Sequence, residues 1–280
     1  MDGIDSDSEV RIPVFHIASM ARAGETLLLR CLSEHPNLVI THNLNAEDKP
    51  HEVRLFEFLK TNDVKSIALD DPMIDGYDIS AESRFILKQG TWEHAWPFNG
   101  FILARNPASI YASLRLYDIP EHGDDMDKNW CEQRLPRFLA WLRDIEPAIV
   151  NDFEKQSPID QFCAFYSRRM GHLLTTGLPI FYYERFVVSP REEMERICEI
   201  LDVPFVEDTL KTFKGDRALG HGGFDFSRSI DISSLMKYRD VLSREEFDII
   251  TAKTAATHRA YGYRMEWDSI DIKENISNIR

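Results

Sequence analysis

Three short apolar runs, each followed by a turn and a helix-like segment, constrain the fold of this chain most. The runs are PVFHIA at 13–18, GFILA at 100–104 and PIFYY at 179–183. Because they are apolar almost throughout rather than alternating, they indicate strands that are buried on both faces, as in a parallel sheet. The sequence therefore predicts an α/β fold of three layers, with a central parallel sheet flanked by helices.

Weaker patterns fill in the rest of the fold. Further strands are predicted at 38–41, 66–70 and 85–88, and helices at 24–34, from 107 onward, at 160–176 and at 190–202. A short helix is predicted at 51–60, and residues 118–157 are expected to form helices and loops over one face of the sheet. A last long helix is predicted to begin after Ser243, where Glu246 completes a capping box, and to run toward Tyr261.

Length and composition indicate one domain and limit its partners. The 280 residues, 43% of them hydrophobic, carry no linker or repeat, so a single domain over 1–280 is expected, with polar tails at 1–11 and 268–280. A net charge of −14 argues against nucleic acid or anionic membranes as partners. No apolar run approaches the ~20 residues of a membrane span, and the acidic start is unlike a secretory signal.

The four cysteines, Cys31, Cys131, Cys163 and Cys198, lie in helix-like sequence and form no CxxC pair. This spacing favours small buried side chains over a metal site. Together with the acidic start of the chain, it predicts a cytoplasmic protein.

The loop after the first run, SMARAGET, has the features of an anion site. Gly24 opens the predicted helix, whose free N–H groups and dipole attract negative charge, and Arg22 and Thr26 add a cation and a hydroxyl. Glu25 stands where a true phosphate loop carries lysine. It suits the helix dipole, yet it would repel a bound phosphate. Taken alone, the stretch is equally compatible with a plain strand–helix connection.

A second candidate site follows the second run, in ARNPASIYAS. Arg105 leaves the end of the predicted strand, and Ser113 lies eight residues later in a predicted helix. A guanidinium and a hydroxyl together bind a phosphate dianion well. In isolation the two residues are better interpreted as a solvated surface arginine and a serine on a helix face. Both loops follow strands, and ligands of parallel sheets bind at the carboxyl ends of strands.

Taken together, these stretches resemble the sulfotransferases that use 3′-phosphoadenosine 5′-phosphosulfate (PAPS). ARAGETLLLRCLSEHP resembles the 5′-phosphosulfate loop of that family, commonly written RSGTT, and Arg105 and Ser113 match its pair for the 3′-phosphate. Tyr183 matches the tyrosine near the adenine. HGGFDFSRSID, with Arg228, resembles the late cofactor loop. The resemblance spans about residues 13–263, as a series of short motifs that occur in the same order as in the family. Residues 118–157 match none of these motifs.

The resemblance implies a P-loop-like sulfotransferase that moves a sulfonyl group from PAPS to a hydroxyl of a carbohydrate or other small molecule. The transfer would be an in-line displacement that leaves 3′-phosphoadenosine 5′-phosphate (PAP) and needs no metal. Its cofactor contacts would fall on Arg22, Ala23, Gly24, Glu25, Thr26, Leu27, Arg105, Ser113, Tyr183 and Arg228.

For catalysis, the resemblance implies a cation and a base. Arg22 would stabilise the charge that develops on the bridging oxygen of the departing nucleotide. His42 is the predicted base for the acceptor hydroxyl, because its ordinary pKa suits proton transfer near neutrality. Glu47 and His51 are alternatives. Lys88 falls where some relatives carry a catalytic lysine, and it is otherwise expected to form an ion pair or line the acceptor pocket.

Two departures from the family keep other functions open. Ala23 and Glu25 replace two phosphate-binding hydroxyls, with Glu25 expected to turn outward or to pair with an arginine. A nucleotide-binding relative without catalysis is therefore one alternative. The other is an ATP-dependent P-loop kinase, in which Asp70 and Asp71 would bind magnesium. We expect these two aspartates instead to cap a turn.

Overall fold

The computed structural model describes residues 9–41, 55, 58, 64–88, 99–116, 153, 155–211, 230 and 232–272. Its main sheet contains strands β1 (Arg11–Ser19), β2 (Leu38–Thr41), β3 (Ser66–Ala68), β4 (Arg84–Lys88), β5 (Asn99–Ala104) and β6 (Ile180–Tyr182). Five strands run parallel in the order β2-β4-β1-β5-β6, while β3 pairs antiparallel with the first residues of β1.

The described helices lie between these strands and after them in the chain. They are α1 (Glu25–Ser33), α2 (Pro107–Arg115), α3 (Pro158–Leu174), α4 (Tyr183–Val188), α5 (Pro190–Leu201), α6 (Arg244–Lys253) and α7 (Ala255–Ala260). Short 3-10 turns cover Pro72–Ile74, Glu207–Leu210, Ile232–Ser234 and Lys237–Asp240. A hairpin of β7 (Tyr263–Glu266) and β8 (Ser269–Ile272) ends the described chain. Among the described residues, no helix is long and apolar enough to cross a bilayer.

The sheet has a hydrophobic core on each face, as the apolar runs predict. Successive residues of β5 alternate between the two cores, with Ile102 on one side and Phe101 and Leu103 on the other. The Ile102 side packs against α2, α3 and α6, and the opposite side packs against α1 and α5. The three-layer α/β fold with its central parallel sheet is therefore confirmed.

The strand order reverses between β1 and β5. From β1 the chain passes through α1 to β2 on one side of the sheet, whereas from β5 it continues to β6 on the other side. Such a reversal of direction separates the loops that follow the two strands and opens a crevice at their carboxyl ends. The loop carrying Arg22 follows β1, and Arg105 follows β5.

Several element boundaries differ from the sequence predictions. Tyr183, expected as the last residue of a strand, is the first residue of α4. The last helix has its predicted capping box at Ser243 and Glu246, but it is interrupted at Thr254. There the threonine hydroxyl donates to the carbonyl of Ile250 at 2.7 Å, a back-bond that bends helices.

The predicted tails are also too long. Arg11 already belongs to β1, where it pairs with Ala68. The segment from 268 onward was expected to be a polar tail, which is wrong for Ser269–Ile272 because these residues pair with β7. The β7 strand buries Tyr263 and Met265 on alternate positions, so its hairpin partner is held against the core.

The cysteines among the described residues are buried free thiols, as predicted. Burial raises the pKa of Cys31 and Cys163 to about 12 and that of Cys198 to about 11. These three side chains therefore act as small apolar groups. Cys131 lies outside the described residues.

Candidate active site

The loop between β1 and α1 has two residues in left-handed backbone conformations. Arg22 has φ 72° and Gly24 has φ 107°. Such conformations are uncommon for a non-glycine residue and are concentrated at functional sites. Gly24 is the N-cap of α1 and has no side chain to accept from the helix N–H groups. The N–H groups of the first turn of α1, those of Thr26 and Leu27 among them, are the donors predicted to bind an anion.

Position 24 also requires glycine because a side chain there would overlap the ring of Tyr183. A Cβ atom there would lie 2.2 Å from Cδ2 of Tyr183. The ring of Tyr183, which directly follows β6, thus packs on the backbone of the loop. This contact brings the predicted adenine segment against the predicted 5′-phosphosulfate loop.

Arg22 lies at the meeting point of the two predicted phosphate sites. Its Nε donates to the hydroxyl of Ser113 at 3.0 Å, and its carbonyl accepts from Nη1 of Arg105 at 3.0 Å. Ser113 lies on α2, the helix that begins at Pro107, and its side chain reaches the loop that carries Arg22. The structure brings Arg22, Arg105 and Ser113 together, while their binding roles stay predictions.

Tyr183 and Ser234 complete this cluster. The guanidinium carbon of Arg105 lies 4.2 Å from the centre of the Tyr183 ring. The Tyr183 hydroxyl is 2.7 Å from Oγ of Ser234, whose carbonyl accepts from Nη2 of Arg105 at 3.4 Å. Sequence reasoning missed Ser234, since nothing distinguishes it from Ser233 beside it. Its position just after the predicted late cofactor loop was the available signal.

Glu25 neither turns outward nor pairs with an arginine. Its carboxylate is buried, accepts from the Ser19 hydroxyl at 2.8 Å and lies 3.6 Å from Nζ of Lys88. Burial alone would raise the pKa of Glu25, but Lys88, its own backbone N–H, Ser19 and Arg22 together hold the pKa below its ordinary value. Glu25 is therefore an ionised, compensated group beneath the loop.

Two further predictions about neighbouring residues can be placed. Lys88, at the end of β4, forms the ion pair that was one of its expected roles. Ala23 is fully buried in the core on the α1 side of the sheet, so its methyl group packs where the family pattern has a hydroxyl.

Of the aspartate pair after β3, Asp71 caps a turn, as predicted. Oδ1 of Asp71 accepts from the backbone N–H of Met73 at 2.9 Å and caps the 3-10 turn Pro72–Ile74. Among the described residues, no cluster of three or more histidine, cysteine or acidic side chains is arranged to hold a metal ion. Four predicted site residues, His42, Glu47, His51 and Arg228, lie outside the described residues.

Comparison with known proteins supports the fold assignment. The sulfotransferase domain of the olefin synthase from Synechococcus PCC 7002 superimposes with a TM-score of 0.55, covers 95% of this chain and 100% of that domain, and is 14% identical. The sulfotransferase domain from the curacin biosynthetic pathway gives a TM-score of 0.50 over 89% of this chain and 99% of that one, at 15% identity. No family model and no curated protein matches the sequence. The chain therefore has the sulfotransferase fold.

Proposed function

We propose that the protein is a sulfotransferase that takes a sulfonyl group from PAPS and delivers it to a hydroxyl of a carbohydrate or other small molecule. The convergence of Arg22, Arg105, Ser113 and Tyr183 at the β1–β5 crevice is the observation that carries the proposal. These residues come from three separate segments, which follow β1, β5 and β6. If the loop at Gly24 only connected a strand to a helix, the other two segments would not need to contact it.

The groups in the crevice fit an adenosine that carries phosphates at both its 3′ and 5′ positions. The first turn of α1 offers backbone donors and a positive dipole for one phosphate. Arg105 and Ser113 offer a guanidinium and a hydroxyl for the other. Tyr183 would contribute the edge of an aromatic ring beside the base, since Arg105 lies over its face. A nucleotide that carries both phosphates would therefore engage all three segments together.

PAPS, when bound, supplies an activated sulfonyl group whose leaving group is PAP. Arg22 would stabilise negative charge where the nucleotide departs, and for this its guanidinium would exchange the bond to Ser113 for contact with the leaving group. Because arginine keeps its proton, Arg22 acts through charge and not as an acid. The charge of Glu25 is compensated by Lys88 and Ser19, so it need not oppose an anion on the loop.

We keep His42 as the proposed base for the acceptor hydroxyl, with Glu47 and His51 as alternatives. His42 follows Thr41, the last residue of β2, and so comes directly after a carboxyl end of the parallel sheet. A cytoplasmic location is part of the proposal and is supported by the buried free thiols.

The proposal is tested by incubating the protein with PAPS labelled in the sulfonyl group and a panel of hydroxyl-bearing small molecules. We expect labelled product with at least one acceptor. Arg22→Ala should lower its rate by about 10²–10³-fold, as for loss of one charge-stabilising group. The exposed Arg191→Ala should leave the rate unchanged. A protein that binds PAP but releases no label from PAPS would instead be a nucleotide-binding relative without catalysis.

A further inference from the structure

The carboxylate of Glu184 joins three elements next to the proposed nucleotide site. Its Oε1 accepts from the backbone N–H of Asn106 at 2.9 Å and from the side-chain amide of Asn106 at 2.8 Å. Its Oε2 accepts from the hydroxyl of Tyr263 on β7 at 2.8 Å. All three residues are buried, so these charge-assisted bonds are shielded from water.

Asn106 is itself fixed by a further bond. Its Oδ1 accepts from the N–H of Ser109 at 2.8 Å and caps α2. The backbone at the end of β5 is consequently held from two directions, by the helix that follows it and by Glu184. A shift of Asn106 would break both sets of bonds.

The residues that precede these two partners also contact each other. Arg105 precedes Asn106 and Tyr183 precedes Glu184, and the guanidinium of Arg105 lies over the ring of Tyr183. Arg105-Asn106 follows β5 and Tyr183-Glu184 follows the neighbouring β6. The two pairs contact each other through the stacked side chains of Arg105 and Tyr183 and through the bonds from Asn106 to the Glu184 carboxylate. An apolar residue at position 184 would leave the buried donors of Asn106 and Tyr263 without this acceptor, so the carboxylate contributes to stability. The same bonds also fix the strand end that carries Arg105.

We propose that Glu184 is a positioning residue for recognition of the 3′-phosphate of the nucleotide. It holds the backbone at Asn106 so that the guanidinium of Arg105 is presented at the crevice, and it makes no contact with the nucleotide itself. The inference rests on the proposed function, because that function supplies the 3′-phosphate as the ligand of Arg105.

The test compares two nucleotides that differ only in the 3′-phosphate. Calorimetry measures the affinity of the wild-type protein, Glu184→Ala and Glu184→Gln for PAP and for adenosine 5′-phosphate. The ratio of the two affinities reports recognition of the 3′-phosphate. We expect the ratio to fall by about tenfold or more in Glu184→Ala. Glu184→Gln should lose only about threefold, because its amide oxygen still accepts from Asn106.

A matched control is Glu193→Gln, which alters another buried glutamate, one that pairs with Arg196 on α5. Its affinity ratio should equal that of the wild type. If the affinities of the Glu184 variants for both nucleotides fall equally, or not at all, the residue is only structural and the inference is overturned. Should Glu184→Ala fail to fold, an unchanged ratio in Glu184→Gln has the same meaning.

The wild-type measurement separates this inference from the proposed function. A wild-type protein that does not prefer PAP over adenosine 5′-phosphate contradicts the proposed nucleotide site itself. A clear wild-type preference that persists in both Glu184 variants contradicts the positioning role alone.

Discussion

Glu25 and Lys88 form an ion pair beneath the loop that the sequence marks as an anion site. The pair joins the first turn of α1 to the end of β4, and Ser19 at the end of β1 donates to the same carboxylate. Two neighbouring strand ends and the helix start are therefore connected through one side chain. A residue that looked incompatible with phosphate in the sequence is part of the support for the loop.

Glu25→Gln should destabilise the protein, because Lys88 and Ser19 lose a buried charged partner. The expected loss is about 1–3 kcal/mol in the free energy of unfolding, measured with urea. Glu192→Gln is the matched control, since Glu192 also lies in the first turn of a helix but is exposed. Equal stability of the two variants would contradict a supporting role for the pair.

Acid should destabilise the protein partly through His258. Burial, helped by Arg259, lowers the pKa of this side chain to about 4 from the ordinary 6.5. Between those pH values the unfolded chain binds a proton that the folded chain does not, so stability falls as the pH falls. His258→Gln should reduce this slope by up to about 1.4 kcal/mol per pH unit.

Comparing His258→Gln with the wild type at pH 7.5 separates the effect of packing from that of titration. At pH 7.5 the side chain is neutral in both states, so any difference from the wild type there reports packing and not titration. An acid slope of unfolding free energy that is identical in His258→Gln and wild type would rule out this histidine as a source.

Gly24→Ala should displace Tyr183 from the loop. The new methyl group would overlap the ring, and it would also place alanine at a positive φ. Gly177→Ala isolates the second effect, because Gly177 has φ 69° and open space around it. We expect Gly24→Ala to weaken PAP binding by about tenfold or more, while Gly177→Ala binds as wild type. Equal binding by the two variants would show that the ring contact is unimportant.

Arg105→Ala should weaken PAP binding by about 10–150-fold in calorimetry, the range for loss of one charged hydrogen-bonding group. Binding of adenosine 5′-phosphate should change much less. The control is Arg191→Ala, which removes an exposed, ion-paired arginine on α5. Undiminished affinity of Arg105→Ala for PAP would remove Arg105 from the proposed 3′-phosphate site.

The layers of the fold were predictable because apolar runs in a parallel sheet are nearly continuous. The runs around Ile17 and Phe101 locate β1 and β5 in the sequence, and Ser243 with Glu246 locates the start of α6. The interruption at Thr254 was not predictable, since the sequence has no glycine or proline there to mark it. The β8 strand was missed because it is short and partly polar, and only its pairing with β7 defines it.

Part of the candidate site could be predicted from the sequence. Gly24 and Arg105 were singled out because they follow predicted strands and match the family resemblance, and the structure brings their segments together at Arg22 and Tyr183. The inward orientation of Glu25 was not predictable, because its partners Ser19 and Lys88 lie on different strands. Glu184 was missed for a similar reason, as its partners Asn106 and Tyr263 are distant in sequence.

The most direct test of the account is a calorimetric titration of the wild-type protein with PAP in metal-free buffer, compared with a titration with ATP and magnesium. A PAPS-dependent sulfotransferase should bind PAP without metal more tightly than it binds ATP with magnesium. Tighter binding of magnesium and ATP than of PAP would contradict the account and favour a P-loop kinase.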